Sequence, residues 1–201
     1  NIDDKNAFLE YSRYKNETKL IKSSGIDTEK YLLKNNFNKN LKVIFASRLL
    51  KDKGIYEFIK LAKSLEDSEI EFFIAGDIDL GNPESLNESE LNELKKLSYI
   101  TYLGFIDIEK DLHNYDVLVS MSAHEGFSRV LLESSFVGLY VVSLENHGTK
   151  FISELENSEL ITSLQIDSFI EVLENLKATD LELSSKNRDY ITKNYSSNEI
   201  A

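Results

Sequence analysis

The sequence predicts an α/β protein with a doubly wound parallel sheet of the Rossmann-like type. Short runs of β-branched and aromatic residues recur along the chain, and longer segments with apolar residues at helical spacing separate them. The short runs are apolar at nearly every position, as expected of central strands that helices cover on both faces. Strands that alternate with helices in this way are typical of a parallel sheet.

Five of the short runs are predicted to be strands, because each is too short to form a buried helix. They comprise residues 42–46, 71–75, 100–103, 117–120 and 140–143. Apolar residues at helical spacing predict helices after the first, second and fourth strands, around Ile59, Leu94 and Leu131. The segment from residue 180 to residue 195 is also predicted to be helical.

Three regions are predicted along the 201-residue chain. Residues 1–40 are more polar and less regular, and we predict that they form a linker and a first strand region. Residues 41–195 form the Rossmann-like domain, which is long enough to bury a core of its own. Residues 196–201 resemble the cap of a further, truncated C-terminal helix. Because the chain opens with Asn1 and not with methionine, we expect it to be part of a longer protein.

The composition argues against several classes of function. The formal net charge of −12 opposes a nucleic-acid partner, because phosphate backbones are bound by clustered lysine and arginine. A small anionic ligand is compatible with this charge, since a few cations in a cleft can outweigh a distant acidic surface. The lack of cysteine excludes thiolate metal sites, and the three histidines have no metal-ligand spacing, so no metal site is predicted. No apolar run approaches the roughly 18 residues of a transmembrane segment.

Polar or glycine-containing turns follow four of the predicted strands at their carboxyl ends. Arg48 follows the first strand, Gly76 and Asp77 follow the second, Gly104 follows the third, and residues 122–126 follow the fourth. In open α/β sheets, ligands bind outside the carboxyl ends of the strands. We therefore expect these turns to meet at one edge of the sheet and to form a ligand site.

Two glutamates separated by seven residues, Glu125 and Glu133, form the most informative motif. Glu125 lies in the turn after the fourth strand, and Glu133 lies about two helical turns further on, so both carboxylates can face one edge of the sheet. The helix that starts near residues 127–130 has free N–H groups that can receive an anion. Carboxylates can accept hydrogen bonds from sugar hydroxyls, and backbone amides can bind phosphate. A nucleotide sugar needs both kinds of group side by side.

Four segments, taken together and in order, strongly resemble the retaining glycosyltransferases of the group 1 type. The segments are ASRLLKDKG at residues 46–54, FIAGD at 73–77, LGF at 103–105 and EGFSRVLLE at 125–133. Enzymes of this family have the GT-B fold, in which two Rossmann-like halves face each other across a cleft. The resemblance covers roughly residues 18 to 201 and matches only the C-terminal, nucleotide-sugar-binding half. The pair of glutamates alone would be a weak signal, and the four motifs in the family's order make it specific.

The resemblance implies three catalytic residues. Arg48 and Lys53 match the cations that grip the donor's diphosphate and stabilise it as it leaves. A guanidinium fork and a compact ammonium group both complement phosphate oxygens, which fits these roles. Glu125 matches the glutamate that orients the donor sugar through its hydroxyl groups. Under this interpretation neither a cofactor nor a metal ion is required, since the two cations carry out the task of a divalent ion.

The resemblance also implies a set of donor-binding residues. Glu133 matches the second glutamate of the motif, which is expected to hold the ribose hydroxyls in a bidentate manner. Phe105 and Ile106 match the edge of the base pocket, which contacts the base mainly through the backbone. The backbone amides expected to meet the sugar and the phosphates belong to Gly126, Phe127, Ser128, Val130 and Leu131.

Two loops depart from the family's pattern. Residues 146–148, with the sequence Asn-His-Gly, replace a more glycine-rich loop that the family has near the phosphates. Residues 78–83 form an insertion-like loop after Asp77. Neither departure removes one of the charged residues named above.

The resemblance implies that the chain is the donor-binding domain of a retaining glycosyltransferase. Such an enzyme transfers a sugar from a nucleoside-diphosphate sugar to a saccharide or lipid-linked acceptor, and an N-terminal domain absent from this chain would bind the acceptor. The chain alone is therefore expected to be inactive. Because such enzymes often extend bacterial surface polysaccharides, we expect a cytoplasmic location with peripheral attachment at the inner face of the membrane.

Three other functions are compatible with a doubly wound sheet. A non-catalytic nucleotide-binding module would keep Arg48 and Glu133 without an acceptor domain. A nucleotide-sugar epimerase of the same two-half architecture would invert free donor without an acceptor. A receiver-like signalling domain needs a phosphorylatable aspartate with an acidic pair earlier in the chain, and Asp77 lacks that pair.

Overall fold

The chain folds around a parallel six-stranded sheet, seen in a computed structural model that describes Leu9 and residues 25–177 and 181–197. The strands are β1 Lys42–Ala46, β2 Glu71–Ala75, β3 Thr101–Gly104, β4 Val117–Ser120, β5 Tyr140–Leu144 and β6 Ser158–Ile161. Their order in space is β3-β2-β1-β4-β5-β6, and every neighbouring pair is parallel. The predicted doubly wound parallel sheet is therefore confirmed.

Helices cover both faces of the sheet. They are α1 Ile55–Ser64, α2 Glu88–Leu94, α3 Ile108–Asp111, α4 Arg129–Val137, α5 Ile166–Asn175 and α6 Ser185–Tyr195, with short 3-10 turns at Lys51–Lys53, Leu112–Asn114 and Lys150–Glu154. On one face α1 packs against α5, and on the other face α4 packs against α6.

Alternate residues of each central strand belong to two separate cores, because side chains of a strand point to opposite faces of the sheet. Val43 and Phe45 of β1 belong to the core that α1 and α5 cover. Ile44 and Ala46 of the same strand belong to the core that α4 and α6 cover. Burial on both sides explains why this strand is a continuous apolar run in the sequence.

Several element bounds differ from the prediction. Strand β3 starts at Thr101, one residue later than expected, and β5 includes Leu144. Strand β6 was not predicted, because it is an edge strand that pairs only with β5 and is apolar at just two of its four positions. Helix α6 begins at Ser185 because the Ser184 hydroxyl accepts a hydrogen bond from the Asn187 N–H and caps the helix there.

The described part of the N-terminal region contains no strand of the sheet. Residues 25–40 make only an isolated bridge, in which Ile26 pairs with Ser196. The Ile26 N–H donates to the carbonyl of Tyr195 at 2.9 Å, so this segment is tied to the end of α6. Residues 1–8 and 10–24 of the predicted linker, and residues 198–201 of the predicted terminal helix, lie outside the described residues.

A buried ion pair joins the same N-terminal segment to the start of β4. The ammonium group of Lys34 lies 2.8 Å from the carboxylate of Asp116, and the two side chains are 1% and 0% exposed. The carboxylate also accepts hydrogen bonds from the backbone N–H groups of Asn38 and Lys42 at 3.0 and 2.9 Å. Buried charges are tolerated only when they are paired and hydrogen-bonded in this way. The pair therefore holds residues 34–42 against the amino-terminal end of the sheet.

Candidate functional site

The strand order reverses between β1 and β4, which are neighbours in space although they are far apart in sequence. Such a reversal leaves a crevice outside the carboxyl ends of the two strands, because their connections leave to opposite sides. A cavity of about 710 Å³ opens at this edge of the sheet. Its lining includes residues that follow β1, β2 and β3, namely Arg48, Asp77 and Phe105, together with Val130 and Glu133 of α4.

The cavity has the size and the chemistry of a site for a small ligand, for which volumes of about 300–1,000 Å³ are usual. Its apolar lining comprises Ala46, Ala75, Ile78, Leu80, Phe105, Ile106, Ile108 and Val130, and its charged lining comprises Arg48, Asp77, Asp79 and Glu133. Phe105 is 88% exposed and stands at the rim. An apolar cleft with a few convergent charges can take up a flat base on one side and a polar group on the other.

Arg48 is held by a partner that the sequence did not reveal. Its guanidinium lies 2.8 Å from the carboxylate of Asp79, which belongs to the insertion-like loop after β2. The Arg48 side chain is 61% exposed, and an ion pair at such a position contributes at most about 1 kcal/mol. An anion that carries more charge than one carboxylate can therefore compete with Asp79 at low cost.

Lys53 and Glu125 form a second ion pair next to the first. The Lys53 ammonium lies 2.9 Å from Oε1 of Glu125 and donates to the carbonyl of His124 at 3.4 Å. Both side chains line a small pocket of about 20 Å³, with room for about one water molecule. This pocket shares Ala46, Ser47 and Val130 with the larger cavity, so that the two are adjacent.

Glu133 is a buried carboxylate with partners on both sides. The residue is 7% exposed, and its Oε1 accepts hydrogen bonds from the hydroxyl of Tyr31 and from the guanidinium of Arg129, each at 2.9 Å. Burial, followed by the charge of Glu133, raises the pKa of Tyr31, so that this hydroxyl stays protonated at neutral pH. The carboxylate is thus an acceptor held at the wall of the cleft.

The amino-terminal end of α4 lies where the two cavities meet. Its N-cap residue, Ser128, makes no side-chain cap. The first N–H groups of an α-helix have no partner within the helix, and they carry the positive end of its dipole. Val130 lines both cavities, whereas Leu131 is 0% exposed and lines neither of them.

The loop before α4 is held by contacts within the protein. Three of its residues were predicted to contact the donor, namely Gly126, Phe127 and Ser128, and none of them lines either cavity. The Phe127 ring stacks on Phe151 with ring centres 4.7 Å apart and also contacts Tyr195, so it is a packing residue. The Ser128 N–H donates to the carbonyl of Gly148 at 3.2 Å. The Ser128 N–H is thus already paired within the protein.

Gly148 allows two loops of the site to touch. A Cβ atom at residue 148 would lie 2.4 Å from the carbonyl oxygen of Glu125, a distance that real Cβ atoms do not show. Residues 146–148 differ from the more glycine-rich loop of the family, but they keep a glycine at the position where this loop approaches the backbone of Glu125. A Cβ atom at Gly126, in the facing loop, would meet nothing within 4 Å.

Replacing Gly148 by alanine is expected to destabilise the protein by about 1–3 kcal/mol, because the backbone near Glu125 must move to make room. Thermal unfolding of the variant measures the loss as a lower midpoint. Gly126→Ala is the matched control for stability, and its midpoint should equal that of the wild type within error. Equal midpoints for both variants would show that the two loops do not pack as described.

Within the described residues, no group of three or more histidine, aspartate or glutamate side chains is placed to hold a metal ion. In the same part of the chain, no helix has the length and apolarity needed to cross a membrane.

Residues 27–196 match the model of the protein family described as "Glycosyl transferases group 1". The 2-deoxystreptamine N-acetyl-D-glucosaminyltransferase of Niallia circulans is 27% identical over 111 residues, which are 53% of this chain and 28% of that protein. The capsular polysaccharide biosynthesis glycosyltransferase CapM of Staphylococcus aureus is 25% identical over 167 residues, which are 77% of this chain and 43% of that protein. The chain thus spans less than half the length of these two relatives.

A solved structure with a similar fold is that of Anabaena Alr3699/HepE in complex with UDP and glucose. Its TM-score is 0.77 at 21% sequence identity, and the match covers 98% of this chain and 58% of that chain. At this identity the similarity concerns the fold alone. It confirms the predicted fold class, the Rossmann-like half of a GT-B architecture.

Proposed function

Since the chain belongs to the group 1 glycosyl transferases, we propose that it is the donor-binding domain of a retaining glycosyltransferase that uses a nucleoside-diphosphate sugar. One observation carries the proposal. The ion pairs of Arg48 and Lys53, the carboxylates of Glu125 and Glu133 and the start of α4 border two adjacent cavities at the carboxyl edge of the sheet.

The arrangement of the two cavities matches the parts of a nucleotide sugar. The base would lie against the rim formed by Phe105 and Ile106, and the ribose hydroxyls would donate hydrogen bonds to the Glu133 carboxylate. The diphosphate would lie between Arg48 and the N–H groups at the start of α4, an arrangement that suits an anion. The sugar would then lie in the large cavity next to the small pocket, where a hydroxyl could donate a hydrogen bond to Glu125.

The charged groups would act on the leaving group. When the bond between the sugar and the diphosphate breaks, negative charge develops on the diphosphate, and Arg48, Lys53 and the helix-start amides would stabilise it. Donors that are positioned before the reaction need no reorganisation when the charge develops. These groups supply the positive charge that the step needs, so the proposal requires no metal ion. An acceptor hydroxyl that attacks on the face from which the diphosphate leaves gives retention at the anomeric carbon.

Two comparisons support the wider context of this proposal. Alr3699/HepE was solved with UDP and glucose, and CapM is a glycosyltransferase of capsular polysaccharide biosynthesis. We propose accordingly that a saccharide or lipid-linked acceptor binds to a separate N-terminal domain and that the enzyme serves bacterial surface polysaccharide synthesis. With this function we propose a cytoplasmic location and peripheral attachment at the inner face of the membrane.

A thermal-shift panel of UDP, GDP and ADP with their sugars tests the proposal. We expect one of the three nucleotides, with its sugar, to raise the unfolding temperature of the chain at millimolar concentration, because binding to the folded state stabilises it. We also expect no sugar transfer by the chain alone, since the acceptor domain is missing. A lack of stabilisation by every nucleotide would refute the proposal. Inversion of free donor without an acceptor would instead identify an epimerase.

A further inference from the structure

The two oxygens of the Glu133 carboxylate differ in their surroundings. Oε1 receives the hydrogen bonds of both Tyr31 and Arg129, each at 2.9 Å. Within the described residues, Oε2 receives no hydrogen bond from the protein, and Glu133 lines the large cavity. A carboxylate can accept about four hydrogen bonds. Before any ligand binds, Oε1 is therefore already bound by the protein, and Oε2 is available to a ligand.

Tyr31 is the more firmly placed of the two donors. It comes from a segment 102 positions earlier in the chain, and its ring packs edge-on against Phe136 with ring centres 5.8 Å apart. The backbone next to it is anchored as well, because the Leu32 N–H donates to the carbonyl of Glu109 at 2.8 Å and the Lys34 N–H donates to that of Val137 at 3.0 Å. Tyr31 itself is buried. Its hydroxyl has little freedom to leave the carboxylate.

Arg129 is the weaker constraint on the same oxygen. It lies one helical turn before Glu133 in α4, and its side chain is 55% exposed. Solvent screens the exposed guanidinium, and holding the long side chain in one geometry costs conformational entropy. The orientation of Glu133 therefore depends mainly on the buried hydroxyl of Tyr31.

We propose that Tyr31 is a positioning residue that holds the Glu133 carboxylate with Oε2 towards the cleft and thereby creates a requirement for the ribose hydroxyls of the donor nucleotide. This inference rests on the proposed function, in which Glu133 receives the ribose. The Tyr31 hydroxyl binds Oε1 on the protein side, which keeps the side chain in one rotamer and leaves Oε2 to accept from the ribose diol. Without this hydroxyl, Glu133 can turn towards Arg129, and the diol loses an acceptor that is already in place.

Calorimetry with UDP and with its 2′,3′-dideoxy analogue tests the role of Tyr31, and GDP or ADP replaces UDP if the wild type prefers one of them. The Tyr31→Phe variant keeps the ring and its contact with Phe136 but lacks the hydroxyl. We expect this variant to bind the ribonucleotide about five- to tenfold more weakly and the dideoxy analogue with less than about a twofold change. The control is Tyr115→Phe, which removes a hydroxyl from another buried tyrosine of the same core and should change neither affinity.

A double-mutant cycle with Glu133→Ala, which removes the acceptor of the Tyr31 hydroxyl, separates positioning from a structural effect. If Tyr31 acts through Glu133, Tyr31→Phe should have no further effect in the Glu133→Ala background. Equal losses of affinity for the ribonucleotide and the dideoxy analogue, or no loss for either, would overturn the inference and leave the proposed function intact.

A second variant tests the role of Tyr31 if Tyr31→Phe does not fold. Arg129→Gln then serves as the second variant, and a ribonucleotide loss larger than that expected of Tyr31→Phe would overturn the inference. If the wild-type protein binds no nucleotide, this result refutes the proposed function itself, on which the inference rests.

Discussion

Replacing Arg48 or Lys53 by alanine in the full-length enzyme proposed above, which would include an acceptor domain, is expected to lower kcat by about 10²- to 10³-fold. Removal of one preorganised donor to a developing negative charge has this order of effect, about 2.7–4 kcal/mol, in enzymes in general. Both residues border the cavities where the proposed diphosphate and sugar lie. Steady-state kinetics with saturating donor and acceptor measures the change, which should appear mainly in kcat because the charge develops in the transition state.

Lys51→Ala is the matched control for this experiment. Lys51 belongs to the same 3-10 turn as Lys53 and carries the same charge, but its exposed side chain is not in the lining of either cavity. We expect less than about a twofold change in kcat for this variant, because an exposed charge outside the site has only a screened, long-range effect. Unchanged turnover in both Arg48→Ala and Lys53→Ala would remove these residues from the diphosphate site.

Lys53→Ala has a second consequence that Arg48→Ala lacks. The Lys53 and Glu125 side chains are only 16% and 20% exposed, so removal of the lysine leaves the Glu125 carboxylate in a poorly solvated position without its cation. The partner of Arg48, Asp79, lies in a more exposed loop and can be solvated instead. We therefore expect Lys53→Ala to lower the unfolding temperature slightly, and Arg48→Ala to leave it unchanged.

Lys34→Met is expected to destabilise the protein by about 3–5 kcal/mol, which is the usual cost of leaving one member of a buried ion pair without its partner. The substitution keeps the length of the side chain but removes the ammonium group that lies 2.8 Å from Asp116. The backbone N–H groups of Asn38 and Lys42 still donate to Asp116, but neither neutralises its charge. Urea unfolding at neutral pH measures the change in free energy.

Two further variants test whether the buried charge is the cause. Lys30→Met removes the cation of an exposed pair, in which Lys30 lies 3.4 Å from Asp27 and the side chains are 57% and 46% exposed, and it should cost less than about 1 kcal/mol. Lys34→Met combined with Asp116→Asn should cost less than the sum of the two single changes, because no isolated charge remains. Stability of Lys34→Met within about 0.5 kcal/mol of the wild type would contradict the burial of this pair.

Much of the fold could be predicted because central strands and helices leave different periodic patterns. Val43, Ile44 and Phe45 are consecutive apolar residues because each faces one of two cores, and this pattern predicts a strand that is buried on both sides. Strand β6 escaped prediction for the opposite reason. It lies at the edge of the sheet, its Glu159 is exposed, and so it needs few apolar residues.

The spacing of residues close together in the sequence helped to predict the site, whereas contacts between distant segments could not be predicted from the sequence. The helical position of Glu133 follows from the predicted helix start near residues 127–130, and its contact with Arg129 is a pair at i, i+4 that spacing could have revealed. The hydroxyl of Tyr31 and the carboxylate of Asp79 reach the site from segments that no local pattern connects to it. Sequence reasoning missed both of these residues.

The sequence by itself determined which segments are strands and helices, which turns carry charged residues, and which family the motifs resemble, because these properties depend on residues close together in the chain. The tertiary structure decided how the charges are paired. It joins Arg48 to Asp79, Lys53 to Glu125, and Tyr31 to Glu133. The physical reason is that the order β3-β2-β1-β4-β5-β6 brings distant loops to one edge of the sheet, and only packing in three dimensions selects which side chains meet there.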